Sequence, residues 1–388
     1  MKKICILCGS PPYVHDAVGD VCWFLAQELA RESSVSLLVP TQGAANANGD
    51  GPISIVPIHG GWGVRTAREV LQHVSELKPD VVLVHFVPQL YGWNGAKPGL
   101  AILLQMLRRR GFRIVTVGHE FSAPFGLSPK LAMWSMIHRL LLRMVVRASR
   151  QVVLTTPMRC DIIQRRFASR RGDILTIPIG STVPVLETDR ACDREEFDRA
   201  HGIRQGELVV ATFGSPMPAV VAMYGGVFRE LSASGIPFRV MVIGKSGEQF
   251  RRSLLEHWES SDGTYCTGPV SNAELSRLLS RCDLYVTLYP DGASTHRTSL
   301  LAGLAHGLPT VSNRGTSTEP YLVSSGAIAL IDDPARGGDV SVVRELSRHA
   351  ELRARLGERG RKFHDEHHSW SQIGSQYLRL ICNAAEGN

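Results

Sequence analysis

Residues 283–315 read DLYVTLYPDGASTHRTSLLAGLAHGLPTVSNRG, and their order decides the fold. DLYVTLYP is a strand-type apolar run that Pro290-Asp291-Gly292 brings to a stop. SLLAGLAHG follows with the apolar content of a packed helix, and TVSN returns to strand. Strand, loop, helix and strand in so short a span form the βαβ unit of a parallel sheet. Ligands of such sheets bind beyond the carboxyl ends of the strands. Here that place is occupied by Asp291-Gly292-Ala293-Ser294-Thr295-His296-Arg297-Thr298-Ser299. The start of a helix offers unpaired backbone N–H groups to an anion. Ser294, Thr295, Thr298 and Ser299 add hydroxyls, and Arg297 adds a guanidinium fork that matches phosphate oxygens. Two readings stand: a phosphate-binding loop, or a hydroxyl cap with one solvated arginine. Capping uses one or two of these residues and leaves the rest of the cluster unexplained. Asp291 reads either as a contact to a substrate hydroxyl or as the start of a turn.

Working outward, the alternation continues on both sides. LVVATFG and FRVMVIG precede this unit as strands, AIALI follows it, and FRELSAS and AELSRLLSR supply helices. The first half carries KICILC, VSLLV, Gly51–Ile58, VVLVHFV, RIVTVGHE, QVVLTT and DILTIPIGS as strand candidates, with helical runs between most of them. Residues 184–205 are charged and turn-rich, and 388 residues exceed what one core usually serves. The expectation is two doubly wound α/β domains, 1–183 and 184–365. A final helical tract, 366–388, either crosses the domain joint or caps the second domain.

The composition, 44% apolar and 20% charged, is that of a globular chain. A net charge of +7 favours anionic partners. No long basic tail or recognisable binding module accompanies it, so nucleic acid is not expected. Eight scattered cysteines suggest neither a disulfide scaffold nor a zinc site. Cys5 and Cys8 form a CxxC inside the first strand, where positions three apart face opposite ways, so they read as buried thiols. The start MKKICILCGSPP is not a secretory signal, and no apolar run reaches the length of a membrane span. The expected location is the cytoplasm, with peripheral contact at the inner face of the membrane left open.

Other strand ends carry candidate residues. Gly244-Lys245-Ser246-Gly247 follows FRVMVIG, and Lys245 reads equally as a diphosphate counter-charge or as a turn lysine. Gly214-Ser215-Pro216 follows LVVATFG. The loop Gly9–Gly19 holds Ser10, Tyr13, His15 and Asp16, with Asp20 beyond it as a helix cap. None of these is a P-loop or a GxGxxG fingerprint, which weakens a nicotinamide reading. His119-Glu120 ends RIVTVGHE. His119 reads as a ligand contact or as a structural histidine, and Glu120 positions His119 or a hydroxyl. Phe121 and Phe125 wall such a pocket or pack under the loop. His364–His368 does not match HExxH and reads as a polar helical end, and no metal site is expected.

The stretch GPVSNAELSRLLSRCDLYVTLYPDGASTHRTSLLAGLAHGLPTVSNRG, from Gly268 to Gly315, resembles the donor-binding half of GT-B fold glycosyltransferases, family 4 above all. His119-Glu120 and the later TIPIGS resemble first-half segments of the same family, and the resemblance spans nearly the whole chain. It implies an α/β GT-B architecture of two Rossmann-like domains facing each other across a cleft. The first domain would bind the acceptor and the second a nucleotide diphosphate sugar. The implied reaction moves the sugar to an acceptor hydroxyl with retention and needs neither metal nor other cofactor. His119 would sit at the donor sugar and phosphate, and Gly268–Val270 beside the nucleobase. Ser294, Thr295, Arg297, Thr298 and Ser299 would form the sugar–phosphate loop, with Lys245 and Arg297 meeting the diphosphate. The chain departs from the family at Ser294 and Ala302, where two glutamates are common. That departure supports an alternative, a noncatalytic sugar-nucleotide-binding or glycosyltransferase-like partner protein. The acceptor class stays open among a small metabolite, a lipid-linked sugar and a polysaccharide.

One surface feature bears on the acceptor. Arg139, Arg143 and Arg147 recur every four residues in the helical run Leu131–Ser149, so they line one face, and Arg150 extends it. Leu140, Leu141, Met144 and Val145 lie beside them. The helix either meets an anionic membrane surface or covers its own sheet while the arginines face water.

Overall fold

The computed structural model describes residues 1–12, 17–41, 52–60, 62–91, 98–120, 129–186, 195, 197–199, 201–214, 217–259, 264–333, 335 and 338–383. Tyr13, His15, Asp16, Phe121, Phe125, Cys192, Ser215 and Pro216 lie outside the described residues, as does part of the 184–205 stretch. The chain forms two compact units, Met1–Ile179 with Trp370–Asn388, and Gly180–Ser369.

The first unit is built on a seven-stranded parallel sheet. Its strands are β1 (Lys2–Cys8), β2 (Ser33–Pro40), β3 (Ile53–Ile58), β4 (Val81–Phe86), β5 (Ile114–Gly118), β6 (Gln151–Leu154) and β7 (Ile174–Thr176). They lie in the order β3-β2-β1-β4-β5-β6-β7. Every neighbour runs parallel, because helices such as Ala17–Leu29 and Val64–Leu77 carry the chain back across a face. Burial on both faces explains runs such as VVLVHF, which has no exposed residue. Alternate residues serve opposite cores: Cys5 and Leu7 belong to one, Ile4, Ile6 and Cys8 to the other. Cys5 and Cys8 are buried free thiols, and burial pushes the Cys5 thiol up to about 12. The last helix, Trp370–Asn383, packs on Ala17–Leu29 and gives Ile373, Tyr377 and Ile381 to that second core.

The second unit carries β8 (Leu208–Phe213), β9 (Phe238–Ile243), β10 (Thr264–Cys266), β11 (Leu284–Val286), β12 (Thr310–Asn313) and β13 (Ala329–Ile331), in the order β10-β9-β8-β11-β12-β13. This sheet is parallel throughout. Both sheets reverse their strand order once, between β1 and β4 and between β8 and β11. Crevices at such reversals, outside the carboxyl ends of the strands, are where doubly wound sheets bind ligands. The helix after β10 shows how locally the boundaries are set. Ser271 accepts from the Glu274 N–H at 3.2 Å, a hydroxyl cap with a glutamate at the third helical position. One sequence expectation needs correction: DLYVTLYP is strand only over Leu284–Val286, and Thr287 to Pro290 already belong to the loop. His364 and His368, expected at a polar helical end, are buried beside Phe363.

Candidate functional site

In the second unit, three neighbouring strand ends present bare backbone. Gly214, Gly244 and Gly268 follow β8, β9 and β10 with φ of 111°, 123° and 69°, values that favour glycine. Gly244 and Gly268 pair in an antiparallel bridge, and the Gly244 N–H donates to Thr267 Oγ1 at 3.2 Å. A Cβ on Gly244 would stand 3.0 Å from the Gly214 carbonyl oxygen, so only glycine lets these turns close on each other. Lys245 beside them is exposed, and Val270 packs half-buried against the core beneath the sheet.

The loops after β11 and β12 interlock. A Cβ on Gly292 would lie 2.4 Å from the Gly315 nitrogen, and one on Gly315 equally close to the Asp291 carbonyl. Asn313, at the end of β12, clamps the first loop by accepting from the Tyr289 N–H and donating to its carbonyl, both at 2.8 Å. The Tyr289 hydroxyl meets the Ser299 hydroxyl at 2.8 Å, and its ring lies under the Arg297 guanidinium, 5.1 Å from centroid to carbon. Arg297 Nη2 donates to Asp291 Oδ1 at 2.6 Å, and Ser317 Oγ donates to Asp291 Oδ2 at 2.7 Å. Burial pushes the Asp291 carboxyl up, but Ser317 and Arg297 outweigh it and hold the carboxyl below its usual range. Arg297 therefore sits half-buried and oriented on its lower side, at the residue that caps the helix Thr298–Ala305. Its Nε is buried with no hydrogen-bond partner among the described residues.

Glu319 organises the rest of this loop, and sequence reasoning missed it. Its carboxylate, 1% exposed, accepts from Ser294 Oγ at 2.7 Å, from the Thr295 N–H at 3.1 Å and from Thr295 Oγ1 at 3.0 Å. Ser294 and Thr295 are themselves buried, so their hydroxyls already have an internal acceptor, whereas Thr298 and Ser299 stay partly exposed. Ser294 Oγ also lies 2.7 Å from His296 Nδ1. Ala302 is fully buried in the core under the sheet. The available signal for Glu319 was the pair Glu319-Pro320 at a helix start, since proline occupies the first turn of Pro320–Ser325.

In the first unit, His85 and His119 stand at the carboxyl ends of β4 and β5. His85 Nδ1 and His119 Nε2 are 3.0 Å apart, with the rings stacked. His85 is fully buried and His119 is 8% exposed. Burial first, and the Arg159 cation second, push His119 down to about 4. Burial and His119 push His85 well down too, so both rings are neutral at pH 7. The Arg159 guanidinium donates to the His119 carbonyl, and the Tyr91 hydroxyl donates to the His85 carbonyl at 2.6 Å. Glu120, next along the chain, is exposed. Among the described residues, no group of three or more His, Cys, Asp or Glu side chains could hold a metal ion. No helix among them is long and apolar enough to cross a membrane.

Whole-chain comparison with solved structures gives matches that cover both units. A sucrose-phosphate synthase from Thermosynechococcus elongatus matches with TM-score 0.77 at 13% identity, covering 100% of each chain. A glycosyltransferase from Rickettsia africae matches with TM-score 0.72 at 9% identity, covering 100% of this chain and 99% of that one. Anabaena HepE in complex with UDP-glucose matches with TM-score 0.68 at 14% identity, covering 99% of this chain and 100% of that one. The chain has the GT-B fold. A family profile described as glycosyl transferase-like matches residues 227–379, which include the loops after β11 and β12. No curated protein matches the sequence. The chain is glycosyltransferase-like over this segment, and at these identities the structural likeness speaks for the fold.

Proposed function

We propose that the protein is a nucleotide-sugar-dependent glycosyltransferase, moving a sugar from a nucleotide diphosphate to an acceptor hydroxyl with retention, as in family 4. One observation carries this reading. A guanidinium fixed by Asp291 and Tyr289 stands at the start of a helix, beyond the carboxyl end of β11, inside the segment that matches glycosyl transferase-like proteins. A helix N-terminus and an arginine together suit a diphosphate. Arg297, with Lys245 and the amides of Thr298 and Ser299, stabilises charge on the leaving phosphate as the glycosidic bond breaks. The bare backbone at Gly244 and Gly268 lets a flat base approach the strand ends, with Val270 beside it. His119 orients the reacting end of the donor, and Glu120 contacts a hydroxyl. The second unit is the donor side and the first the acceptor side. Arg297 and the loop amides meet the diphosphate without a metal ion, so transfer should survive chelation.

A second reading draws on Ser294 and Ala302. Ser294 is turned inward onto Glu319 and Ala302 is core, so neither offers the carboxylate that family 4 commonly has there. A protein that binds sugar nucleotides without turning them over fits those two positions. A donor-hydrolysis and transfer assay decides between the two. Release of nucleoside diphosphate, with an α-linked product from an α-linked donor, is the expected result. Binding without release across a broad acceptor panel supports the second reading, and an inverted product rejects retention.

A further inference from the structure

The histidine pair in the first unit carries a consequence for how His119 works. The two-residue period of the strands puts Val81, Leu83 and His85 on one face of β4, and Val115 and Val117 on the same face of β5. His119 continues that phase one step past the strand, which brings its ring over His85. At 3.0 Å, His85 Nδ1 and His119 Nε2 share one proton. Two cationic rings at that distance would repel, and no carboxylate among the described residues contacts the pair to compensate.

The position of that proton follows from what surrounds the outer nitrogens. His85 Nε2 is buried and has no hydrogen-bond partner among the described residues. If His119 Nε2 carried the shared proton, His85 would be protonated on Nε2, leaving an orphaned N–H donor in the core. If His85 Nδ1 carries it, Nε2 is a bare lone pair. Buried donors without partners are rarer in folded proteins than under-used acceptors. His119 makes no hydrogen bond from Nδ1 to any described residue, and it is the more exposed of the two rings.

We propose that His85 is a positioning residue for His119: its Nδ1–H donates to His119 Nε2, which fixes His119 as the Nδ1–H tautomer and makes it a neutral hydrogen-bond donor to an oxygen of the bound ligand. The proposal rests on the reading of His119 as a ligand contact. A ring locked this way donates to a hydroxyl or phosphate oxygen and takes no proton at Nδ1. His119 therefore binds and orients, and any base in the reaction is another group. Tyr91 supports the arrangement from behind by holding the His85 carbonyl.

The test is a long-range proton–nitrogen correlation spectrum of protein labelled with nitrogen-15 in histidine, at pH 7. The His119 signals are assigned by their loss in His119→Gln. The expected spectrum shows His119 with a protonated Nδ1 and an unprotonated Nε2. The reverse pattern, or an imidazolium pattern, overturns the proposal. A kinetic arm uses His85→Leu, which removes the donor, and His85→Asn, whose amide N–H stands where Nδ1 stood. Turnover should fall roughly 10–100-fold in the leucine variant with KM little changed, and the asparagine variant should recover most of that loss. Equal turnover in parent and His85→Leu, or equal damage in both variants, also overturns it. If no sugar nucleotide is turned over, the spectrum still decides the tautomer, so failure of the transferase reading is told apart from failure of this one.

Discussion

Arg297 is the residue on which the proposed donor site turns. Its guanidinium has one face on Tyr289 and one nitrogen on Asp291, so it is held in place before any ligand arrives. Pre-ordering of this kind reduces the entropy lost on binding. A charge-assisted hydrogen bond contributes about 1.5–3 kcal/mol. Arg297→Ala should therefore weaken nucleotide diphosphate binding by roughly 10–150-fold in a calorimetric titration, with folding almost unchanged. Unaltered affinity would remove Arg297 from the site. Glu319 makes the opposite kind of prediction. Its carboxylate satisfies three buried donors, so Glu319→Ala should cost about 3 kcal/mol of stability in a denaturant titration. A loss well under 1 kcal/mol would mean the loop is held by something else. His119 adds a pH signature. Its folded value is lowered from 6.5 to about 4, so the unfolded chain binds a proton over that range that the folded chain refuses. Its contribution is complete above pH 6.5 and is lost as pH falls toward 4, by about 3 kcal/mol. His119→Gln should flatten the stability curve there, and an unchanged slope would count against the buried neutral ring. Residue type and strand-end position made Arg297 and His119 candidates in the sequence. Glu319 and His85 were not visible, because each acts on a residue more than twenty positions away, and only tertiary structure fixes such pairs.

Among the elements, the helix Pro129–Ala148 covers its own sheet with one side, and its other side is where the membrane reading is tested. Leu141, Leu142, Val145 and Val146 are buried and cover the first sheet. Met133, Met136 and Leu140 are exposed at 48%, 67% and 58%, and they run into exposed Arg143 and Arg147 along one stripe. Burial, together with the Arg139 and Arg143 cations, pushes the Arg166 guanidinium down, which marks a local concentration of positive charge. Each arginine at an anionic bilayer contributes about 1 kcal/mol, and inserted apolar side chains add more. The protein should co-sediment with phosphatidylglycerol vesicles at low salt and not with phosphatidylcholine vesicles, and Arg139→Ala/Arg143→Ala/Arg147→Ala should lose most of that binding. Parent protein that stays in solution with both rejects the membrane surface. The elements themselves were mostly legible, since apolar runs of five or six residues between glycine turns leave few alternatives. β10 escaped because Thr264–Cys266 is a three-residue edge strand with no buried residue. β11 was overextended because Thr287, Leu288 and Tyr289 are as buried as a strand, yet the ladder stops after the Thr287 N–H bond to the Val311 carbonyl, and Tyr224 and Asn313 side chains accept the next two N–H groups.

For the whole molecule, repeated strand–helix alternation specified two parallel sheets, and the resemblance at Gly268–Gly315 specified their kind. The sequence left the last helix open between crossing the domain joint and capping the second domain, and Trp370–Asn383 belongs to the first unit. An amphipathic helix shows that it has a buried face without showing which sheet that face meets. In the proposed function, the second unit recognises a nucleotide diphosphate sugar through the loop of Arg297. The most direct measurement is thermal unfolding of the parent and of Arg297→Ala with UDP-, GDP-, ADP- and dTDP-sugars, each at about one hundred times the dissociation constant of a true ligand. A true ligand then stabilises by about 2.7 kcal/mol, or roughly 5–10 °C for a unit of this size. The expected result is such a shift for one base, cut to about half or less in Arg297→Ala at the same concentration. No shift with any of the four, or an equal shift in the variant, would rule out donor recognition through this loop.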